Sequence, residues 1–163
     1  MGEGKEELVK IIFELDADDW HGYPSETVWA AIVRTEEGQL FELQNSPFYM
    51  RGVSYLDLVR ASPLPEEPHV LNFTGVFARS GHSTYWLLVP PEKSAEFEER
   101  WKMLAVLGCS YESGTIRLQP GVRKLYSVDV PPATDIHSVY RLLQDGEEQS
   151  VWLFAEGHCG HQI

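Results

Sequence analysis

The chain has 163 residues, 43% of them apolar, and a formal net charge of −12 from 25 Asp and Glu against 13 Lys and Arg. That length fits one domain or two small subdomains sharing an interface, and it buries roughly 70% of the unfolded surface with no need for a disulfide or metal staple. The acidic balance repels phosphate backbones and anionic membranes and attracts basic partners, so nucleic-acid and membrane binding are not expected.

The N-terminus, MGEGKEELVK, has no apolar h-region, and no stretch approaches the roughly 20 apolar residues of a membrane span. Met1-Gly2 opens like a myristoylation signal, but Glu6 stands where Ser or Thr is needed. The two cysteines, Cys109 after a helix end and Cys159 in the terminal tail, make no secreted disulfide framework. A soluble cytoplasmic protein is the expectation.

Leu8 to Leu15 places Val9, Ile11, Phe13 and Leu15 on one face and predicts a strand. Asp16-Ala17-Asp18-Asp19 ends it, and Trp20 to Pro24 forms a loop. Thr27 to Arg34 predicts a second strand, joined through a hairpin turn at Glu36 to Gln39 to a third over Leu40 to Leu43. The stretch Asn45 to Ala61 reads as turn, bend and strand. Asn45-Ser46-Pro47 starts it, Phe48 and Tyr49 follow, Gly52 breaks it, and alternation from Val53 runs until a Pro-rich turn at Ser62 to Pro65. Another strand spans Val70 to Ala78. The first half is expected to be a small curled sheet or open barrel.

The second half changes rhythm. Tyr85 to Val89 is an apolar strand stopped by Pro90-Pro91. Glu92 to Leu107 is helical, with Phe97, Trp101, Leu104 and Ala105 on one face and Gly108 as the residue after the helix. Cys109 to Ser113 and Ile116 to Leu118 are short strands, and Leu125 to Val130 is a longer one. Thr134 or Asp135 caps a second helix whose apolar face is Ile136, Val139, Tyr140 and Leu143, closed by Asp145-Gly146. Val151 to Ala155 is the last strand. Strand, helix, strand, strand, helix, strand is the ferredoxin-like order. The fold class expected is α+β: a mainly β half over residues 8–82 packed on a ferredoxin-like half over 83–157, with a tail at 158–163.

Asn45 to Tyr49, then Gly52, then Asp57-Leu58-Val59 resemble the signature of an uncharacterised bacterial family, domain of unknown function 4265. Trp29, Ser80 to Thr84, Leu107-Gly108-Cys109, Val130-Pro131 and Asp135 fit the same resemblance, which spans about Val9 to Gly157. It implies a bacterial, soluble, stand-alone protein. It implies no established activity and supplies no catalytic residues.

Ser80-Gly81-His82-Ser83-Thr84, at the junction of the halves, offers two hydroxyls, an imidazole and Gly-exposed amides for a carboxylate or phosphate. It is not a serine-hydrolase elbow, since Gly-x-Ser-x-Gly is absent. Its competing reading is a turn whose hydroxyls satisfy backbone groups. Asp57 reads either as an acid or base of raised pKa, or as a structural acceptor paired with Arg51, Arg60 or loop N–H groups. Asp16, Asp18 and Asp19 start like a calcium loop, but the Gly and terminal Glu of that pattern are missing. His158, Cys159 and His161 are weak metal candidates on a tail expected to fray. Trp20, Tyr23, Phe48, Tyr49 and Trp86 offer stacking surfaces, most of them expected in packing.

No cofactor is implied and no complete catalytic constellation appears. The leading expectation is therefore a non-enzymatic acidic interaction module, of inhibitor or immunity type, that binds a basic partner. The alternatives are a small-ligand-binding protein or enzyme with a cleft lined by Tyr49, Asp57, Ser80, His82 and Ser83, and a structural module that forms homo-oligomers.

Overall fold

Alternation decides the first half of the computed structural model, which describes residues 7–119 and 121–163. The signal-peptide and myristoylation readings at the extreme N-terminus fall outside those residues. Strands β1 (Leu8–Glu14), β2 (Ser25–Thr35), β3 (Gly38–Leu43), β4 (Leu58–Leu64) and β5 (Glu67–Ala78) follow one another around a closed barrel. Parallel pairing of β1 with β5 closes it. Closure removes the unpaired strand edges that an open sheet exposes. Ile11, Phe13, Val28, Ala30, Phe41, Leu43, Val59 and Leu71 fill its interior.

One expected boundary is corrected here. Val53 to Asp57 is not strand. Leu56 takes a left-handed backbone (φ +67°), and β4 begins only at Leu58. The strand then runs through Ser62 and Pro63, where the chain was expected to turn. Three register irregularities, one of them at Pro63/Leu64, accommodate a residue that cannot donate to the ladder.

The second half comprises β6 (Ser83–Val89), a 3-10 turn at Pro91–Lys93, α1 (Ser94–Val106), β7 (Ser110–Leu118), β8 (Gly121–Val130), α2 (Ile136–Glu148) and β9 (Leu153–His158). The four strands form one antiparallel sheet in the order β7-β8-β6-β9. β7 is one strand, not two, and crosses Gly114 without interruption. Ala105, expected on the buried face of α1, is exposed, while Phe97 and Leu104 are buried. α2 continues past Gly146 to Glu148, so that glycine is not a terminator. A Cβ there would lie 2.3 Å from the Trp152 indole, which packs against the helix and donates from Nε1 to the Leu143 carbonyl at 2.9 Å.

The pleat sends alternate residues of the sheet to opposite faces. Tyr85, Leu87, Val89, Tyr126, Val128 and Val130 meet the two helices. The other face carries Thr84, Trp86 and Leu88 from β6, Leu125, Ser127 and Asp129 from β8, and Glu112, Ile116 and Leu118 from β7. That face turns toward the barrel. Trp86, Ile116 and Leu125 form its buried cluster, with Trp20, Phe48 and Tyr49 of the barrel half packed on it.

Candidate functional site

The loop after β3 docks the barrel on the sheet, and its backbone is held by carboxylates. Asn45 Oδ1 accepts from Trp29 N at 2.8 Å, and Asn45 Nδ2 donates to Glu112 at 3.0 Å. Ser46 N donates to the same carboxylate at 2.7 Å. The Pro47 carbonyl receives both the Trp86 indole N–H (2.8 Å) and the Ser127 hydroxyl (2.7 Å). The N–H groups of Phe48, Tyr49 and Met50 converge on Glu26 at 2.6, 2.9 and 2.9 Å. Burial pushes the Glu26 carboxyl above its ordinary value, against the pull of those three donors, and Glu112 adds to the rise.

A second set of polar groups lies where Val53–Asp57 meets the start of β6. Asp57, 1% exposed, accepts from Ser54 N at 2.9 Å and Ser80 N at 2.8 Å. Its ion-pair partner is Arg79 at 3.4 Å, which also donates to the Gly52 carbonyl. Arg51 and Arg60, the partners considered from sequence, stack instead over Trp86 and Phe77. The Ser80 hydroxyl donates to Tyr55 O (2.7 Å) and accepts from His82 N (3.2 Å). His82 Nδ1 lies 2.8 Å from Asp129, and Tyr55 sets its ring edge-on to the imidazole at 5.3 Å. An ionised carboxylate can only accept, so the imidazole carries its proton on Nδ1. Burial raises the Asp129 carboxyl, opposed first by the His82 hydrogen bond. Ser54 and Thr84 share a hydrogen bond of 2.8 Å.

The tail is tied down rather than frayed. Ser83 Oγ lies 2.6 Å from His161 Nδ1 and accepts from Gly160 N at 2.8 Å. His161 Nε2 reaches the Pro131 carbonyl at 2.9 Å. A carbonyl accepts only, so Nε2 carries a proton and donates to it, which leaves Nδ1 of that tautomer to accept from the Ser83 hydroxyl. A serine beside an imidazole has the make-up of a nucleophile and its base. Here Ser83 is 0% exposed and the far ring nitrogen is already bonded to a carbonyl, so the pair fastens the chain end.

Asp57, Ser80 and His82 therefore adjoin, while Ser83 sits on the opposite face of β6 and turns to the tail, and each of the four is hydrogen-bonded to protein partners. No buried side-chain N or O atom among the described residues lacks one. Tyr49 does not join them. Its ring packs with Tyr23 and His21, each at 4.9 Å, and with Trp20 at 5.9 Å. The five residues do not converge on one cleft: Tyr49 packs among the aromatics, Ser83 faces the tail, and only Asp57, Ser80 and His82 adjoin.

His158 ends β9 opposite Thr84, and burial lowers its pKa, with the Arg79 charge adding to the fall. Cys159 directs its thiol to the His161 carbonyl, and Cys109 is buried, its thiol pushed up to about 12. Among the described residues no group of three or more His, Cys, Asp or Glu is placed to hold a metal. Asp16 and Asp19 accept from Asp18 N and Trp20 N, so they cap a turn.

Two concave features open on the barrel-side face of the sheet. At its polar end a cavity of about 240 Å³ is lined by Ser46, Tyr55, Tyr111, Glu112 and Asp129. At its apolar end a groove of about 460 Å³ runs between the halves, lined by Trp20, Arg51, Trp86, Leu88, Leu118 and Leu153. The sequence reading missed Glu26, Glu112 and Asp129. Glu26 lies two residues before Val28 on the inward face of β2, an acid where alternation calls for an apolar side chain. Asp129 breaks the apolar run of β8 in the same way.

A solved structure of a hypothetical protein from Neisseria gonorrhoeae is similar over 99% of this chain and 100% of its own, with a TM-score of 0.61 at 16% identity. That likeness shows that the fold occurs elsewhere. No curated protein matches the chain. The family model described as Domain of unknown function (DUF4265) matches residues 26–154. With the match reaching from the inward acid of β2 into β9, the chain belongs to this family.

Proposed function

We propose that the chain is a non-enzymatic binding protein that holds a small apolar molecule in the groove between barrel and sheet. One observation carries this reading. The barrel loop covers the centre of the sheet face at Trp86, yet its apolar end stays open, with Leu153 at 63% exposure beside Trp20, Leu88 and Leu118. Small-molecule sites are concave and mostly apolar, with few polar groups, and about 460 Å³ is within their usual size. The Ser83–His161 and His82–Asp129 pairs, closed on themselves, support a binding role over a catalytic one. Two unpaired thiols suit a reducing, cytoplasmic compartment. Titration with a naphthalene-sized probe should change the emission of Trp20 and Trp86 saturably. No change up to millimolar probe would remove the reading.

A second reading, the acidic module that captures a basic partner, is favoured by the polar cavity. Asp129 and Glu112 line it, and the carboxylate lone pairs left beyond their His82, Asn45 and Ser46 bonds could accept from the end of a Lys or Arg side chain. The net charge of −12 would steer such a partner in. Co-purification should then recover a basic protein at about one-to-one that is released by high salt, because screening weakens exposed charge pairing. Recovery of no stoichiometric partner would count against it.

A further inference from the structure

The groove is chemically lopsided. In register, Trp86 faces Ala155 and Leu88 faces Leu153. Arg51 stands at the first of these pairs, its guanidinium 5.4 Å over the Trp86 ring and one nitrogen 3.4 Å from the Glu156 carbonyl. Leu88 and Leu153 lie two residues further along the strands, about 7 Å away. One end of the groove is therefore cationic and the other uncharged and mostly apolar, with Gln119 beside Leu118 its polar member.

Arg51 has no carboxylate partner among the described residues, in a chain with nearly twice as many acids as bases. Glu156, whose backbone carbonyl Arg51 meets, does not neutralise it. Its carboxylate projects to the opposite face of the sheet, 3.5 Å from the Tyr85 hydroxyl. Arg60, by contrast, stacks on Phe77 outside the groove. With one nitrogen turned to the Glu156 carbonyl, the other N–H groups of the exposed guanidinium are left to donate to a carboxylate.

From this polarity we infer that the groove's ligand is a small organic carboxylate with an apolar body: the carboxylate on Arg51, the body along Trp20, Leu88 and Leu153. The inference rests on the groove being a ligand site and adds the charge and orientation of what it holds.

The isosteric pair 2-naphthoate and 2-naphthamide tests it by calorimetry. Naphthoate should bind about tenfold more tightly than the amide, since the two differ by one charge-assisted hydrogen-bonded pair. Arg51→Gln should erase that difference and leave the amide unchanged. Leu153→Glu, which adds a negative charge at an exposed wall, should weaken naphthoate more than the amide. Equal affinity of the two probes for the unaltered protein overturns the inference while leaving the groove a ligand site. Naphthoate binding unaffected by Leu153→Glu also overturns it, because the anion is then bound elsewhere. Binding of neither probe removes both the inference and the reading beneath it.

Discussion

The two ends of the barrel-side sheet face come from the same strands and are used in opposite ways. At the Thr84–Asp129 end, Ser54, Thr84, Asp57, Ser80, His82 and Asp129 are buried or half-buried, and each finds a protein partner. Toward the Leu88 end the surface is mostly apolar and partly open, and at Trp86 it meets a guanidinium whose hydrogen-bond partner among the described residues is a backbone carbonyl. Polar residues gathered at a seam act as cement once their hydrogen bonds close on one another, because a satisfied buried network rigidifies what it joins. Capacity for a ligand is left where apolar area and one charge remain unspent.

The largest expected effect is at the polar end. Asp57→Ala leaves the Ser54 and Ser80 N–H groups without their acceptor and should cost about 2–4 kcal/mol in urea unfolding. A loss under about 1 kcal/mol would mean that the seam does not depend on this carboxylate. Ser83→Ala removes the acceptor of Gly160 N and the donor to His161. It should cost about 1–2 kcal/mol and expose residues 159–163 to carboxypeptidase. A tail as resistant as before would show that β9 alone holds it.

Glu26 sharpens the contrast through pH. Its folded pKa is raised above the ordinary 4.5, chiefly by burial. The folded state thus keeps the proton to higher pH than the unfolded chain does, and the stability this contributes is complete below the ordinary value. It is lost as pH rises through the raised one. The stability difference between the natural chain and Glu26→Gln should therefore shrink as pH is raised from 4 through that window. A difference that grows with pH would contradict the sign. The smallest effect belongs to the groove: Arg51→Gln should leave stability within about 0.5 kcal/mol, since the side chain is exposed and unpaired by any carboxylate. A larger loss would make Arg51 part of the cement and dissolve the comparison.

Strand alternation made the barrel legible, because Ile11, Phe13, Val28 and Val59 keep the two-residue period that the pleat demands. The Gly108 terminus of α1, at φ +105°, was legible for the same local reason. Pro63 inside β4 and Gly146 inside α2 were not, because a bulge and the approach of Trp152 are tertiary facts that override local breakers. Ser80, His82, Ser83 and Asp57 stood out in the sequence as a polar cluster; the first two adjoin Asp57, while Ser83 turns to the tail. Their partners Asp129 and His161 lie 47 and 78 residues from His82 and Ser83, so nothing local showed that the cluster would satisfy itself. Trp20 and Trp86 were visible as stacking residues. Arg51 was visible only as a partner for Asp57, and the fold gives that partnership to Arg79 instead.

The most direct measurement is a two-dimensional NMR titration of the full chain with 2-naphthoate, following the indole N–H signals of Trp20 and Trp86 beside the amides of Tyr55 and Asp129. The account predicts saturable shifts at the two indoles and at Leu153, with the amides of the seam unmoved. Shifts centred on Tyr55 and Asp129, or no shifts at all, would contradict it.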